Sequence, residues 1–188
     1  MTTVAHIRGS IGGAAILTLF GGLWCILALA NWAARPGWSI PLGVGLTIAL
    51  LVLCVARFQS YKNVRSVDDP VAAAKGKRVG MLFGIIFGIE GALIAISATV
   101  LGSHGLGIWV PLVIAIIVGV HFLPLAHVFE VPLYYWTGAL CVLGVLGCLL
   151  IHDSGTRVLC VGFVMTGVLW ISVLAMLLQT KPSQTALV

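Results

Sequence analysis

Charged residues are scarce in this chain. Only 8% of its 188 residues are Asp, Glu, Lys or Arg, whereas 61% are hydrophobic and the mean hydropathy is +1.18. About a quarter of the residues in a soluble domain are charged, so this chain has too little polar surface to cover a water-exposed globule. Runs of alternating polarity, which transmembrane strands require, are also absent. The composition predicts an all-α integral membrane protein.

The chain also lacks the residue sets that catalysis and metal binding require. It has no nucleophile–base set, no paired acids and no Cys-x-x-Cys spacing. His121 and His127 are six residues apart, which does not place them on one helical face, so they make a poor pair of metal ligands. We expect no metal and no cofactor, and an enzyme is the least favoured class of function.

Cysteines are few, and all lie within apolar runs, where they most often behave as small hydrophobic residues. They are Cys25, Cys54, Cys141, Cys148 and Cys160. Cys148 and Cys160 flank the same short turn. A disulfide between them is the minority interpretation, and two ordinary buried thiols are the favoured one.

Six apolar runs each approach or exceed the roughly 20 residues that cross a bilayer as a helix. They are residues 11–31, 39–57, 79–101, 107–129, 132–151 and 158–179. We therefore predict one transmembrane domain over residues 1–188, a bundle of six helices with a single substantial loop at residues 58–78.

Three local signals refine these spans. Ala28-Leu29-Ala30 has the form of a signal-peptide cleavage site, but the run before it exceeds the usual apolar segment of about 7–15 residues, so we expect it to remain a span. Asp69-Pro70 resembles a helix N-cap followed by a first-turn proline, which predicts that the third helix begins before the membrane. Pro111 and Pro124 are expected to bend the fourth helix.

Lys and Arg are distributed unevenly between the two sides of the predicted bundle. With the N-terminus inside, eight are cytoplasmic: Arg8, Arg57, Lys62, Arg65, Lys75, Lys77, Arg78 and Lys181. Only Arg35 and Arg157 are outside. This bias predicts a multi-pass protein with both termini in the cytoplasm. Because the basic residues cluster in one loop between spans, we expect membrane lipids as partners and no nucleic acid.

Small residues form a narrow stripe along the third span. They are Gly80, Gly84, Gly88, Gly91, Ala95, Ala98 and Gly102. In lipid, such stripes let helices approach closely. We expect the third helix to be central and packed against a neighbouring helix or a partner subunit, which leaves a homo-oligomer open.

Glu90 lies near the centre of the third span, on a face that it shares with Ser97 and away from the stripe. A charged side chain at a helix centre costs about 2.5–3.5 kcal/mol on insertion scales, so Glu90 is expected to be paired, neutral, or facing protein or water. A proton or cation site and a structural interhelical hydrogen bond are equally favoured interpretations.

His121 in the fourth span lies about 6 Å to the cytoplasmic side of the midplane, from the rise per residue of a helix. A hydrogen bond to a carbonyl, such as one freed by Pro124, is the favoured interpretation. Pairing with Glu90 is the alternative, and it is chemically attractive because histidine titrates near neutral pH.

Aromatic residues mark the predicted membrane interfaces. Trp32 and Trp38 are expected as outer anchors, and Tyr134, Tyr135 and Trp136 as inner ones, with a cavity lining as the alternative for the inner group. His127 and Glu130 are expected to be solvated boundary residues.

Three segments resemble a group of uncharacterised bacterial six-helix membrane proteins with FGxEG, HFxPLA and YYxTG segments in the same order. Here they are FGIIFGIEG (83–91), VGVHFLPLAHVF (118–129) and VPLYYWTGAL (131–140). The resemblance implies a bacterial inner-membrane protein of this size and topology, and it implies no activity.

Two classes of function follow from these residues. The first is a small channel or transporter with Glu90 as a proton or cation site, His121 as its partner and Ser97 on the same face. No repeat relates the first three spans to the last three, which weakens an alternating-access mechanism. The second is a non-transporting protein that binds lipid or a hydrophobic molecule, or scaffolds a partner.

Overall fold

The computed structural model describes residues 4–60 and 70–179, with side chains over residues 11–60 and 74–179. These residues form six helices: α1 (Val4–Ala30), α2 (Ser39–Ser60), α3 (Pro70–Ser103), α4 (Val110–Phe129), α5 (Leu133–Gly147) and α6 (Ser154–Gln179). Short 3₁₀ turns at Gly107–Trp109 and Cys148–Leu150 flank α4 and α5. Counted with the 3₁₀ turns beside α4 and α5, the six helices give six segments long and apolar enough to cross a membrane, and no strand occurs in the described ranges. The all-α, six-helix prediction is confirmed.

The helix starts follow the sequence signals closely. α3 begins at Pro70, ahead of its apolar run, while Asp69 lies outside the described residues. Pro111 occupies the first turn of α4, where its missing N–H costs little, and Pro124 lies inside that helix. Pro111 is therefore not the bend that we expected. The orientation stays a prediction, and Lys62, Arg65 and Lys181, on which it partly depends, lie outside the described residues.

The bundle centres on the contact of α1 with α6, the most extensive in the structure. Gly162 makes this close approach possible: a Cβ there would lie 2.7 Å from the Cβ of Ala28 and 2.9 Å from the Trp24 carbonyl oxygen. One turn further along α6, the Thr166 hydroxyl lies 2.8 Å from the Gly162 carbonyl oxygen of its own helix and 3.1 Å from the Gly21 carbonyl oxygen of α1, so its hydrogen is shared between the two. In lipid, close packing at small residues and hydrogen bonds between helices are the interactions that hold two helices together.

The contact of α4 with α5 uses the same device. A Cβ on Gly138 would lie 2.7 Å from the Gly119 carbonyl oxygen, and a Cβ on Gly119 would lie 2.8 Å from a methyl carbon of Val142. Among the described residues, glycines that permit close helix packing therefore lie on α1, α2, α4, α5 and α6.

The glycine stripe of α3 does not take part in this packing. A Cβ built on Gly80, Gly84, Gly88, Gly91 or Gly102 would meet nothing within 4 Å among the described residues. The expectation that α3 is central is wrong: α3 lies at the edge of the bundle and makes its main contact with α4. The small residues face outward together with exposed large apolar residues such as Ile85, Ile89 and Leu93, and a different face of α3 packs inward.

That inward face consists of Phe83, Ile86, Glu90 and Ile94, spaced three or four residues apart as one helical face requires. The three apolar members are half-buried against the core, and Glu90 is 6% exposed. The face of α3 that meets the bundle therefore carries an acid at its centre.

The turn after α4 begins at Glu130, which adopts a left-handed conformation (φ 56°) and ends the helix. Its carboxylate accepts a hydrogen bond from the Lys75 ammonium of α3 at 2.8 Å. Both side chains are more than 60% exposed, and exposed pairs of this kind contribute about 0–1 kcal/mol. Glu130 is thus exposed at the end of α4 and paired with Lys75, and its place at the membrane boundary stays a prediction.

Candidate functional site

Glu90 is the one buried acidic residue of the described chain. Its carboxylate points from α3 towards α4 and meets His121: the Nδ1 atom of His121 lies 3.1 Å from the Oε1 atom of Glu90. The two side chains are 7% and 14% exposed. The sequence predicted the depth that permits this contact and treated the contact itself as the less favoured alternative for His121.

The same imidazole nitrogen also meets a backbone carbonyl. Nδ1 lies 3.0 Å from the carbonyl oxygen of Val118, one turn earlier in α4. The two alternatives that the sequence left open for His121 therefore occur together, although the carbonyl is not one freed by Pro124. Because a carbonyl oxygen only accepts hydrogen bonds, this geometry favours the hydrogen on Nδ1, shared between Val118 and Glu90.

A cavity of about 220 Å³ reaches this pair. It is lined by five residues of α1, three of α3 and five of α4, with Tyr134 of α5 and Leu169 of α6. The lining is apolar apart from the Glu90 carboxylate, the His121 imidazole and the Tyr134 hydroxyl. It includes Phe129 and Tyr134, which flank the α4–α5 turn, so the cavity extends from Glu90 towards that end of the bundle.

The cavity opens sideways, between α1 and α3. Ile16 and Phe20 of α1 and Phe87 of α3 line it and are yet 36–43% exposed. The rings of Phe20 and Phe87 meet edge to face at 6.4 Å between centroids and bridge the two helices at this opening. Since the surrounding surface is apolar, the opening faces the lipid of the bilayer once the six helices span it.

Aromatic rings form a continuous wall inside the cavity. Phe83 contacts Phe129, Phe129 contacts Tyr134, and Tyr134 contacts Phe122, with ring centroids 5.8–6.2 Å apart. Phe122 in turn lies 4.8 Å from the ring of His121. The wall thus connects α3, α4 and α5 and leads to the imidazole.

Tyr134 is a correction to the predicted interfacial anchors. It is 4% exposed, and its hydroxyl lies so near α1 that a Cβ on Gly13 would be 2.6 Å from it. Tyr135 and Trp136 are 45% and 70% exposed, and their role as anchors stays a prediction. The signal was present: Tyr134 begins the helical spacing of the buried face of α5, which continues with Thr137 and Cys141.

The remaining predicted residues lie outside the cavity. Ser97 is half-buried on the Glu90 face of α3, two turns beyond the acid, and is not among the residues that line the cavity. Trp32 and Trp38 are exposed at the α1–α2 connection. No group of three metal-ligating side chains occurs among the described residues.

Gly12 is a cavity residue that the sequence did not single out. It lines the space beside α1, and a Cβ built on it would meet nothing within 4 Å. The adjacent Gly13 accommodates the Tyr134 hydroxyl instead. Two neighbouring glycines thus have different roles, and nothing in their local sequence separates them.

The fold and the cavity define a six-helix membrane protein with a buried acid–imidazole pair on the wall of a lateral, largely apolar cavity. Over residues 72–179, more than half of its length, the chain matches a family described as a family of unknown function, DUF7010. The chain belongs to this family. The matched region contains α3 almost entirely, with α4, α5 and α6, and therefore both Glu90 and His121. No curated protein and no solved structure matches the chain.

Proposed function

We propose that this protein binds a small lipophilic molecule with a cationic or hydrogen-bond-donating group, taken up from the bilayer through the opening between α1 and α3. The observation that supports this most directly is the Glu90–His121 pair on the wall of an otherwise apolar, aromatic cavity. Binding sites for small molecules typically combine an apolar lining with a few polar groups that fix orientation.

The size of the cavity suits a compact ligand. An engineered apolar cavity of about 150 Å³ stays dry and binds benzene, and this cavity measures about 220 Å³. It therefore accommodates an apolar group somewhat larger than one ring, and a longer tail can extend through the lateral opening into lipid.

The polar group of the ligand follows from the acceptors on the wall. One oxygen of Glu90 receives the His121 contact, which leaves the second oxygen to accept from a ligand. A carboxylate and aromatic faces are also the two environments that attract an ammonium group. A lipophilic amine satisfies both, and it is the ligand class that we favour.

Equilibrium binding to the protein in lipid nanodiscs tests this proposal, with a fluorescent lipophilic amine as the probe. We expect saturable binding that Glu90→Gln weakens by about tenfold or more, since a charge-assisted hydrogen bond contributes about 1.5–3 kcal/mol. The control is Glu130→Gln, which removes a carboxylate outside the cavity. Equal affinity for the wild type and Glu90→Gln would contradict the assignment.

Proton or cation transport is the second candidate, and the 3.1 Å contact between two titratable side chains supports it. A proton held between Glu90 and His121 could be exchanged with a ligand or with water that enters the cavity. Proteoliposomes with an internal pH-sensitive dye test this candidate. Flux that Glu90→Gln abolishes would support it, and no flux in the wild type would remove it.

The topology that we propose with this function places both termini in the cytoplasm and the cavity in the inner leaflet of a bacterial plasma membrane. The uneven distribution of Lys and Arg supports it. A homo-oligomer that uses the outward glycine stripe of α3 belongs to the same proposal, because that stripe has open space before it. Labelling of single cysteines from each side of the membrane tests the topology.

A further inference from the structure

Two thiols meet across the turn between α5 and α6. The Sγ atoms of Cys148 and Cys160 lie 3.1 Å apart. Cys148 belongs to the 3₁₀ turn that ends α5 and is 2% exposed, whereas Cys160 lies in α6 and is half-buried. Neither residue lines the cavity at Glu90, so the binding site gives no reason for their proximity.

The two thiols need little movement to become bonded. A disulfide bond is about 2.05 Å long, so the sulfur atoms must approach by about 1 Å, a distance within reach of side-chain rotation. The Cys148 thiol also lies 3.3 Å from the Gly144 carbonyl oxygen, and it would give up this weak hydrogen bond. The turn at residues 151–153 already holds the two helix ends together.

The position of the pair favours oxidation. The α5–α6 turn lies at the opposite end of the six-helix bundle from the α4–α5 turn, and the positive-inside orientation places it outside. Disulfides form and persist on the outer side of the plasma membrane, where thiol-reducing systems of the cytoplasm do not act.

We infer that Cys148 and Cys160 are a modification site, oxidised to an intramolecular disulfide by a disulfide-bearing oxidant outside the membrane. The Cys160 thiolate, the more accessible of the two, attacks the oxidant disulfide and forms a mixed disulfide, which releases the first oxidant thiolate. The Cys148 thiolate then attacks the Cys160 sulfur and releases the second. Two thiols become one disulfide, and the two protons that they lose are taken up by the two oxidant thiolates, so the oxidant disulfide becomes a dithiol.

The disulfide would fasten the end of α5 to the first turns of α6. The α-helical part of α5 ends at Gly147, directly before Cys148. We therefore expect the oxidised form to have a higher unfolding temperature than the reduced form.

Mass analysis of the full chain tests the inference without a variant. The protein is expressed in a bacterium that keeps a disulfide-forming oxidant outside its plasma membrane, and all free thiols are alkylated in denaturant before digestion. We expect a linked Cys148–Cys160 peptide that is lighter by two hydrogens than its reduced parts and disappears on reduction. Alkylation of both cysteines, or a link only between two copies, would overturn the inference.

Two variants make the result specific. Cys160→Ser should abolish the linked peptide and leave Cys148 alkylated. Cys141→Ser, which removes a fully buried thiol of α5 away from the pair, should leave the linked peptide intact. A link that survives Cys160→Ser would show a different pairing and equally overturn the assignment.

Discussion

The Nδ1 atom of His121 lies 3.1 Å from the Oε1 atom of Glu90, and this contact joins α3 to α4 on the wall of the cavity. Among the described side chains of α3, residues 74–103, Glu90 alone is buried. The helix at the edge of the bundle is thus attached by half-buried apolar groups and by one buried polar contact. The Glu90–His121 contact contributes both to stability and to the proposed binding site, so the variants must be chosen to separate the two effects.

We expect His121→Leu to destabilise the protein by about 1–3 kcal/mol, because a buried acceptor loses its donor. Unfolding in mixed micelles measures this change. The double variant Glu90→Leu with His121→Leu should recover much of the loss, since replacing both members of a buried polar pair by apolar groups is often nearly neutral. Glu130→Gln, which weakens the exposed contact of the same two helices, should cost about 0–1 kcal/mol. Equal losses of stability for His121→Leu and Glu130→Gln would argue against a special role for the buried pair.

Gly12→Leu should fill the cavity and abolish binding of the lipophilic amine. A side chain at this position meets open space on the cavity side of α1, so the fold should tolerate it. Leucine also has a higher helix propensity than glycine by up to about 1 kcal/mol, and stability should be unchanged or raised. Binding titrations and unfolding curves on the same preparation check both effects.

The matched control is Gly45→Leu. Gly45 lies on α2, also with open space before it, and outside the cavity. It should retain wild-type affinity. If Gly12→Leu bound the amine as tightly as Gly45→Leu, the ligand would have to lie elsewhere.

Sequence and structure agree most where a rule concerns one helix at a time. Apolar run lengths predicted six helices, and the spacing of Glu90 and Ser97 predicted that they share a face apart from the glycine stripe. What could not be predicted is which face meets which helix. A small-residue stripe indicates close packing in lipid, but it does not say whether the neighbour is a helix of the same chain or of a second copy. In this structure the stripe of α3 faces away from the other described helices. The contacts of His121 could not be predicted for the same reason. They depend on how α4 is positioned along α3, which brings the Glu90 carboxylate to the His121 Nδ1 atom that also meets the Val118 carbonyl oxygen.

The glycines of the helix contacts should therefore differ sharply from those of the α3 stripe. Gly162→Ala places a methyl group 2.7 Å from the Ala28 Cβ and 2.9 Å from a backbone oxygen, and such overpacking costs about 1–3 kcal/mol. Gly88→Ala places the same methyl group in open space and should be neutral or stabilising in the monomer. Unfolding curves of both variants in detergent, at a concentration where the protein is monomeric, check the contrast. A neutral Gly162→Ala would contradict the close α1–α6 contact.

The start of α6 should respond to acid through Asp153, which the sequence gave no reason to single out. Its carboxylate accepts a hydrogen bond from the Thr156 N–H at 2.7 Å, and its carbonyl oxygen accepts from the Arg157 N–H. The hydrogen bond to Thr156, with a smaller contribution from the Arg157 charge, lowers the pKa of this exposed carboxyl from its ordinary value of 3.8. A lowered folded-state pKa means that the stabilisation is present above the unfolded pKa and is lost as the pH falls through the folded one.

We therefore expect the unfolding temperature to fall below about pH 4 in a wild-type pH series, partly because protonated Asp153 caps α6 less well. Asp153→Asn keeps a side-chain oxygen for the Thr156 N–H and should flatten this acid limb while nearly preserving stability at neutral pH. Asp153→Ala removes the acceptor at every pH and should lower stability at neutral pH as well. If Asp153→Asn reproduced the full acid limb of the wild type, another carboxyl would have to carry it.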